Sequence, residues 1–357
     1  MTKQQVNNLL PFLPDLEKFP KDKIVGITST IPIEIVFAAG YVPIDLNNIF
    51  ICDTSPNRMV EDAELVGLPR NTCAWIKGMY SAVKKHGIRK IISVIQGDCS
   101  NNQALMEVFV SEGIETIPFA YPHSKTDTSF LRDQMEKLAA SLGVSYLKAE
   151  ETKKHLDWVR SSIHEIDRLT WAENVVTGEE NHLWTVSTSD VMGDFEAFGE
   201  LAGKFLQSVS GREPIKHVIR LGVIGIPPIC EDLYPFLSSL GVHVVFNEIQ
   251  RQFSMPYQSD TLVEQYSRYT YPYDIFSRLE DIQEAIHQRR IHGIIHYVQS
   301  FCHRHIQDKI IRKIIRLPIL TLDCDRPGPL DGAMMTRIEA FIEMIKSLKT
   351  EPLEVIK

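Results

Sequence analysis

Apolar positions along this chain alternate between two patterns: short β-branched runs bounded by Gly, Pro or basic residues, and longer segments with apolar residues every three or four positions. The run IVGI (24–27) leads through TSTIP into a predicted helix from Ile33 to Ala39. After Gly40 comes a second apolar run, Val42 to Leu46. The same order returns later: a strand to Ile224, the Pro-rich turn IPP, a helix expected from about Cys230, Gly241, and a strand from Val242 to Phe246. Pro32 falls opposite Pro228 in this alignment, and Glu34 falls near Glu231. Each half continues through a helix into a strand that ends in a thiol, IRKIISVIQGDC (88–99) and IHGIIHYVQSFC (291–302). These two keep Ile88/Ile291, Ile91/Ile294, Ile92/Ile295, Gln96/Gln299 and Cys99/Cys302 in register. A proline-led strand follows in each, at 117–121 and 317–322. Near-continuous apolar runs are how strands covered on both faces of a parallel sheet read. With right-handed crossovers, the duplicated unit predicts an α/β protein of two Rossmann-like, doubly wound parallel sheets.

Between the halves, DTSFLRDQMEKLAASLG and HLDWVRSSIHEIDRLTWAENVV carry helical spacing with interleaved charges. The organisation expected is a first α/β domain over 1–125, a helical connector over 126–215, and a second α/β domain over 216–357. A helix near Gly332 to Leu348 closes the second domain, and the final EPLEVIK is expected to fray.

At 357 residues the chain exceeds one ordinary core, which fits a two-domain reading. The net charge of −8 argues against a broad nucleic-acid surface. No run reaches the roughly 18 apolar residues of a membrane helix. The start, MTKQQVNNLLPFLPDLEKF, lacks a basic region followed by an apolar core, so a cytoplasmic protein is expected. Six cysteines in such a chain are reduced thiols, core residues or metal ligands before they are disulfides. There is no CxxC pair to suggest a zinc ribbon or a thioredoxin-type dithiol.

Three thiols share one kind of place. Cys73 precedes an apolar-faced helix (AWIKGMYSAV), and Cys99 and Cys302 each stand between a strand and a helix. A thiolate there is favoured by the helix dipole and by free N–H groups. Open α/β sheets bind ligands at the carboxyl ends of their strands, so the three thiols could converge on one cleft. A soft, polynuclear ligand such as an iron-sulfur cluster suits the set, with three protein thiolates leaving one iron open. Burial as ordinary core residues is the competing reading of the same cysteines.

The motifs VGITSTIPIEIVFAAGYVPIDL, NTCAWIKGMYSAV, VIQGDCSNNQALMEV and YVQSFCHRHIQDKIIRK, in this order, resemble the D-component family of 2-hydroxyacyl-CoA dehydratases. That family includes 2-hydroxyglutaryl-CoA dehydratase and benzoyl-CoA reductase subunits and double-cubane cluster proteins. The resemblance runs from about residue 20 to 345. It implies an oxygen-sensitive iron-sulfur cluster cradled by two Rossmann-like domains, with Cys73, Cys99 and Cys302 as its ligands. It also implies low-potential one-electron chemistry, in which an ATP-hydrolysing iron-sulfur activator protein injects the electron. In the dehydratases a thioester carbonyl becomes a ketyl radical anion that expels the hydroxyl group. The implied substrate is an acyl-CoA or another small molecule, and the implied second partner is a similar subunit or a second copy in a dimer.

Within the resemblance, Thr28, Ser29 and Thr30 sit where the family places polar substrate contacts. Turn and N-cap duty before Ile33 accounts for them equally. Glu34 and Glu231 are candidate proton donors by position, or simply charges in a helix's first turn. Cys52, Cys230 and Cys324 raise the thiols to six, enough for a linked pair of cubanes (8Fe) in place of a single 4Fe-4S cluster. In that case the chain would be a homodimeric double-cubane reductase of small molecules. A cluster-free protein binding a small ligand in the cleft is the reading from outside the enzyme class. Asp98 and Asp325 would deepen the negative charge around a cluster, while Asp98 also suits an N-cap. His292, His296, His303 and His305 lack the carboxylate pattern of a histidine metal site. The aromatics of YTYPYDIF (269–276) either line the cleft or pack beneath it.

Overall fold

A computed structural model describes residues 15–216 and 219–350; the terminal EPLEVIK, expected to fray, lies outside them. The apolar runs form two four-stranded sheets in which every pairing is parallel. The first contains β1 (Ile24–Ile27), β2 (Val42–Asp45), β3 (Lys90–Gln96) and β4 (Glu115–Ala120), in the order β2-β1-β3-β4. The second contains β5 (Ile219–Gly225), β6 (Val242–Asn247), β7 (Gly293–Val298) and β8 (Ile319–Asp323), in the order β6-β5-β7-β8. The registers repeat as well: Ile27 pairs with Asp45 and Ile92, and Val223 with Asn247 and Ile295. The chain therefore carries two Rossmann-like sheets of one topology, as the duplicated sequence pattern predicts. β7 is buried throughout because helices cover both faces of a parallel sheet.

Counted from the paired residues Ile27 and Val223, Pro32 and Pro228 fall on the same step, and Glu34 falls on Cys230, one step before Glu231. The helix after β1 starts at Ile33, directly after Pro32. Its counterpart starts at Leu233 rather than near Cys230. Cys230 is held in an isolated parallel bridge to Gly328, and the Glu231 N–H donates to the Gly328 carbonyl, so the chain stays extended there.

The connector supplies the helices Thr128–Ser141, Tyr146–Arg168, Gly178–Val186 and Phe195–Val209. The Tyr146–Arg168 helix rivets the halves together. Its Arg160 guanidinium meets Glu34 of the first half at 2.6 Å, and its Asp167 takes a two-pronged contact from Arg289 of the second half at 2.6 and 2.9 Å. All four side chains are buried. Removing one partner of a buried pair strands the other charge, a loss of about 3–5 kcal/mol. One apolar cluster runs from Ile91 and Leu105 under the first sheet to Val223 and Ile342 under the second, so the halves share a core. Among the described residues, no helix is long and apolar enough to cross a membrane.

Candidate functional site

The strand order fixes where a crevice opens. In each sheet the chain turns back between the two central strands, β1 and β3 or β5 and β7, so the loops leaving their carboxyl ends diverge. The two crevices merge into one cavity of about 390 Å³. Thr28, Ser29 and Thr30 after β1 and Asp98 and Cys99 after β3 line one wall. Ile226 to Cys230 after β5, and Gln299 with Cys302 and Arg304 after β7, line the other.

Five of the six cysteines line this cavity: Cys52, Cys73, Cys99, Cys230 and Cys302. Cys324 is outside the lining but is buried against Cys230, with the sulfurs 2.8 Å apart. Cys73, Cys99 and Cys302 are each the N-cap residue of a helix, with extended backbone, ahead of Ala74–His86, Ser100–Ser111 and His303–Ile306. Burial pushes the Cys73 thiol up to about 11, with the N–H groups of Ile76 and Trp75 pulling the other way and Cys302 and Asp98 adding to the rise. Burial, then Asp98 and Cys73, push Cys99 up to about 12. These thiols hold their protons at neutral pH until a cation displaces them. Cys230 and Cys324 share one proton: their contact eases loss of the first and, with burial, opposes loss of the second.

Among the described residues, no three His, Cys, Asp or Glu side chains close on a single-ion site. A polynuclear cluster takes one thiolate per iron and spreads its ligands more widely than one ion does. Among the described residues, four buried polar atoms around the cavity have no hydrogen-bond partner: Thr30 Oγ1, Trp75 Nε1, Asn102 Oδ1 and Gln299 Nε2. Native proteins leave few such groups, and these four, from both walls, are the donors and acceptors open to a ligand in the cavity.

Ser29 and Thr30 face this cavity, whereas Thr28 Oγ1 accepts the Val94 N–H at 3.1 Å and braces β3. None of the three hydroxyls caps the following helix, whose N-cap is Pro32. Asp98 is not an N-cap either; its Oδ1 accepts the N–H of Cys99 at 2.7 Å. Burial raises its carboxyl, against the pull of that N–H, of Arg304 and of the Ser29 and Tyr271 hydroxyls. Arg304 is buried with its guanidinium 4.5 Å from the centre of the Tyr271 ring, which puts a cation on the wall that also carries Cys302. From YTYPYDIF, Tyr271 lines the cavity while Tyr269 and Tyr273 pack against Tyr121.

Glu34 lies outside the cavity lining. It accepts hydrogen bonds from Arg160, Gln265 and Tyr266 at 2.6, 2.8 and 2.9 Å. Burial raises its carboxyl, but Arg160 and these bonds outweigh that and hold it below the usual range. Glu231 lines the cavity at an exposed position. Asp325 accepts the Ser300 N–H at 2.7 Å. His292 Nδ1 accepts the Arg220 N–H and His296 Nδ1 meets Asp308 at 2.8 Å, so each is engaged within its own half.

Sequence reasoning missed a carboxyl pair. Asp45 ends β2 on the cavity wall, and its N–H donates to Asp190 Oδ2 of the connector at 2.8 Å. Asp190 is held there by three successive residues of positive φ, Val191 (47°), Met192 (55°) and Gly193 (73°). A β-branched residue in that region is strained. Burial first and Asp45 second raise the Asp190 carboxyl to about 7. The only signal for Asp45 is its place ahead of a short helix (DLNN), and nothing local marks Asp190.

No curated protein matches this chain. A family profile does match, over residues 28–345, and it spans β2 to β8, the connector and every cysteine of the cavity. The chain belongs to the 2-hydroxyglutaryl-CoA dehydratase, D-component family.

Proposed function

We propose that this chain is the iron-sulfur subunit of an ATP-dependent, radical-type 2-hydroxyacyl-CoA dehydratase or a related low-potential reductase, with Cys73, Cys99 and Cys302 as ligands of a 4Fe-4S cluster. The observation that carries the reading is that these three cysteines, from both sheets, are all helix N-caps on one cavity. The donor set fits the group: soft thiolates, helix N-termini that favour negative charge, and free N–H donors around the same cavity. When bound, such a cluster supplies a low-potential electron and an open, Lewis-acidic iron.

The chain's own residues supply the rest. Ser29 and Thr30 offer hydroxyls to a substrate oxygen. Arg304 offsets negative charge on the thiolate wall. Ile226 and Ile229 keep water from the reacting end of the substrate. Glu34 acts as a rivet rather than a proton donor. The partners in this reading are an ATP-hydrolysing iron-sulfur activator protein and a second similar subunit or a second copy of the chain, in the cytoplasm.

A second reading has its own support. Cys52 and Cys230 line the same cavity and Cys324 touches Cys230, which suits a double-cubane reductase. Iron and acid-labile sulfide per chain after anaerobic purification separate the two, measured on wild type and on Cys99→Ala, Cys302→Ala and Cys230→Ala. About four irons, lost with Cys99 or Cys302 and indifferent to Cys230, support the single cluster. About eight, sensitive to all three, support the double cubane. A colourless, iron-free protein with every variant folded refutes both and leaves a ligand-binding cleft.

A further inference from the structure

One residue touches the surroundings of both Cys73 and Cys302. Gln299 directly follows β7, and its main-chain carbonyl accepts the N–H of Cys302 at 3.1 Å, closing the turn that presents that thiol. The turn contains Phe301 at φ 63°, a conformation that a side chain other than glycine resists. The side chain of Gln299 reaches into the other half. Its Oε1 accepts the N–H of Ala74 at 3.0 Å, the first helical residue after Cys73. Gln299 is wholly buried and lines the cavity, and its amide Nε2 has no partner among the described residues. Its repeat counterpart behaves differently: Gln96 spends its amide N–H on the Tyr121 carbonyl at 2.6 Å, within its own sheet.

We propose that Gln299 is a positioning residue that sets Cys73 against Cys302 and donates its free amide N–H to the group these thiols hold. The donor half of this proposal rests on the iron-sulfur reading; the clasp half does not. A buried N–H with no partner is costly, and an N–H directed at cluster sulfur favours the reduced, more negative state. Loss of that donor therefore shifts the midpoint potential downward.

Two substitutions separate the halves of the proposal. Gln299→Met keeps the chain length and a weak thioether acceptor for the Ala74 N–H and removes the donor. Gln299→Leu removes both. The readouts are the melting temperature of the metal-free protein and the midpoint potential after anaerobic reconstitution, with Gln96→Leu as the control. Gln299→Leu is expected to melt about 2–4 °C below wild type and Gln299→Met less far below it. Both are expected to shift the midpoint downward by about tenfold in the one-electron equilibrium, about 59 mV, with Gln96→Leu unmoved. An unchanged melting temperature in Gln299→Leu overturns the clasp. An unchanged midpoint in Gln299→Leu, or in Gln299→Met where the leucine variant does not fold, overturns the donor. A wild type that takes up no iron removes the iron-sulfur reading and the donor with it, while the metal-free melting comparison still decides the clasp.

Discussion

The two halves of this molecule share a topology and differ in what they bring to the cavity. After β1 the first half presents Thr28, Ser29 and Thr30, and after β2 it presents Asp45; after β5 the second half presents Ile226, Pro227, Pro228 and Ile229. At matched steps, Asp45 on the wall answers to Asn247, which is buried and bonded to Gly178, Asn181 and Tyr234. Glu34, riveted to Arg160, answers to Cys230 on the cavity wall. Duplication has preserved the crevice and divided the labour around it. One half offers hydroxyls and acids, and the other offers an apolar wall and the clasp.

Breaking the rivet gives the largest contrast. Glu34→Ala leaves Arg160 buried without its charge partner and is expected to cost about 3–5 kcal/mol in denaturant unfolding. Glu231→Ala, at an exposed position, is expected to stay within about 0.5 kcal/mol. Equal effects would dissolve the distinction between the halves.

The acid wall gives the next largest effect, through pH. Asp190 binds its proton more tightly folded than unfolded, so its stabilising contribution is complete below about 3.8 and is lost as pH rises through about 7. Asp190→Asn should flatten that decline by about 1.4 kcal/mol per pH unit across the window, read from urea midpoints at several pH values. Parallel curves for variant and wild type would show that Asp190 does not titrate in that window.

The turns before Cys99 and Cys302 give a smaller contrast. Gly97 has φ 97°, and a Cβ there would stand 2.8 Å from the Tyr121 Cβ and 2.9 Å from the Pro272 Cβ, so Gly97→Ala should cost about 1–3 kcal/mol. The second turn places its positive φ one step later, at Phe301, where Phe301→Gly should gain about 1 kcal/mol by relieving strain. Thermal melts of both variants check the opposite signs. Thr30→Val should be smallest of all, neutral within about 0.5 kcal/mol, because the hydroxyl it removes makes no well-formed hydrogen bond among the described residues. A cost beyond about 1 kcal/mol would reveal a bond to that hydroxyl and remove it as a free contact for ligand.

The sheets were legible in the sequence because a strand covered on both faces needs a continuous apolar run, and Ile91, Ile92, Ile294 and Ile295 supply it twice over. The three N-cap thiols were legible for a related reason, since a polar break between strand and helix marks the carboxyl edge of a parallel sheet. Contacts between distant segments were not. The bridge from Cys230 to Gly328 delays a helix that local pattern places earlier, and Asp45 meets Asp190 across 145 positions. The repeat exposed Gln299 as a matched position but not its reach into the other half. Periodicity reports which face of an element is buried, and it carries nothing about what lies on the far side of a cleft.

Ala74 and Gln299 are 225 positions apart, and that separation has a consequence for how the molecule is made. At about 5–20 residues per second, roughly 10 to 45 s pass between their emergence from a ribosome. Throughout that interval Cys73 and Cys99 wait on a half-built wall. A cofactor that requires both walls is therefore installed only once the second wall has been made.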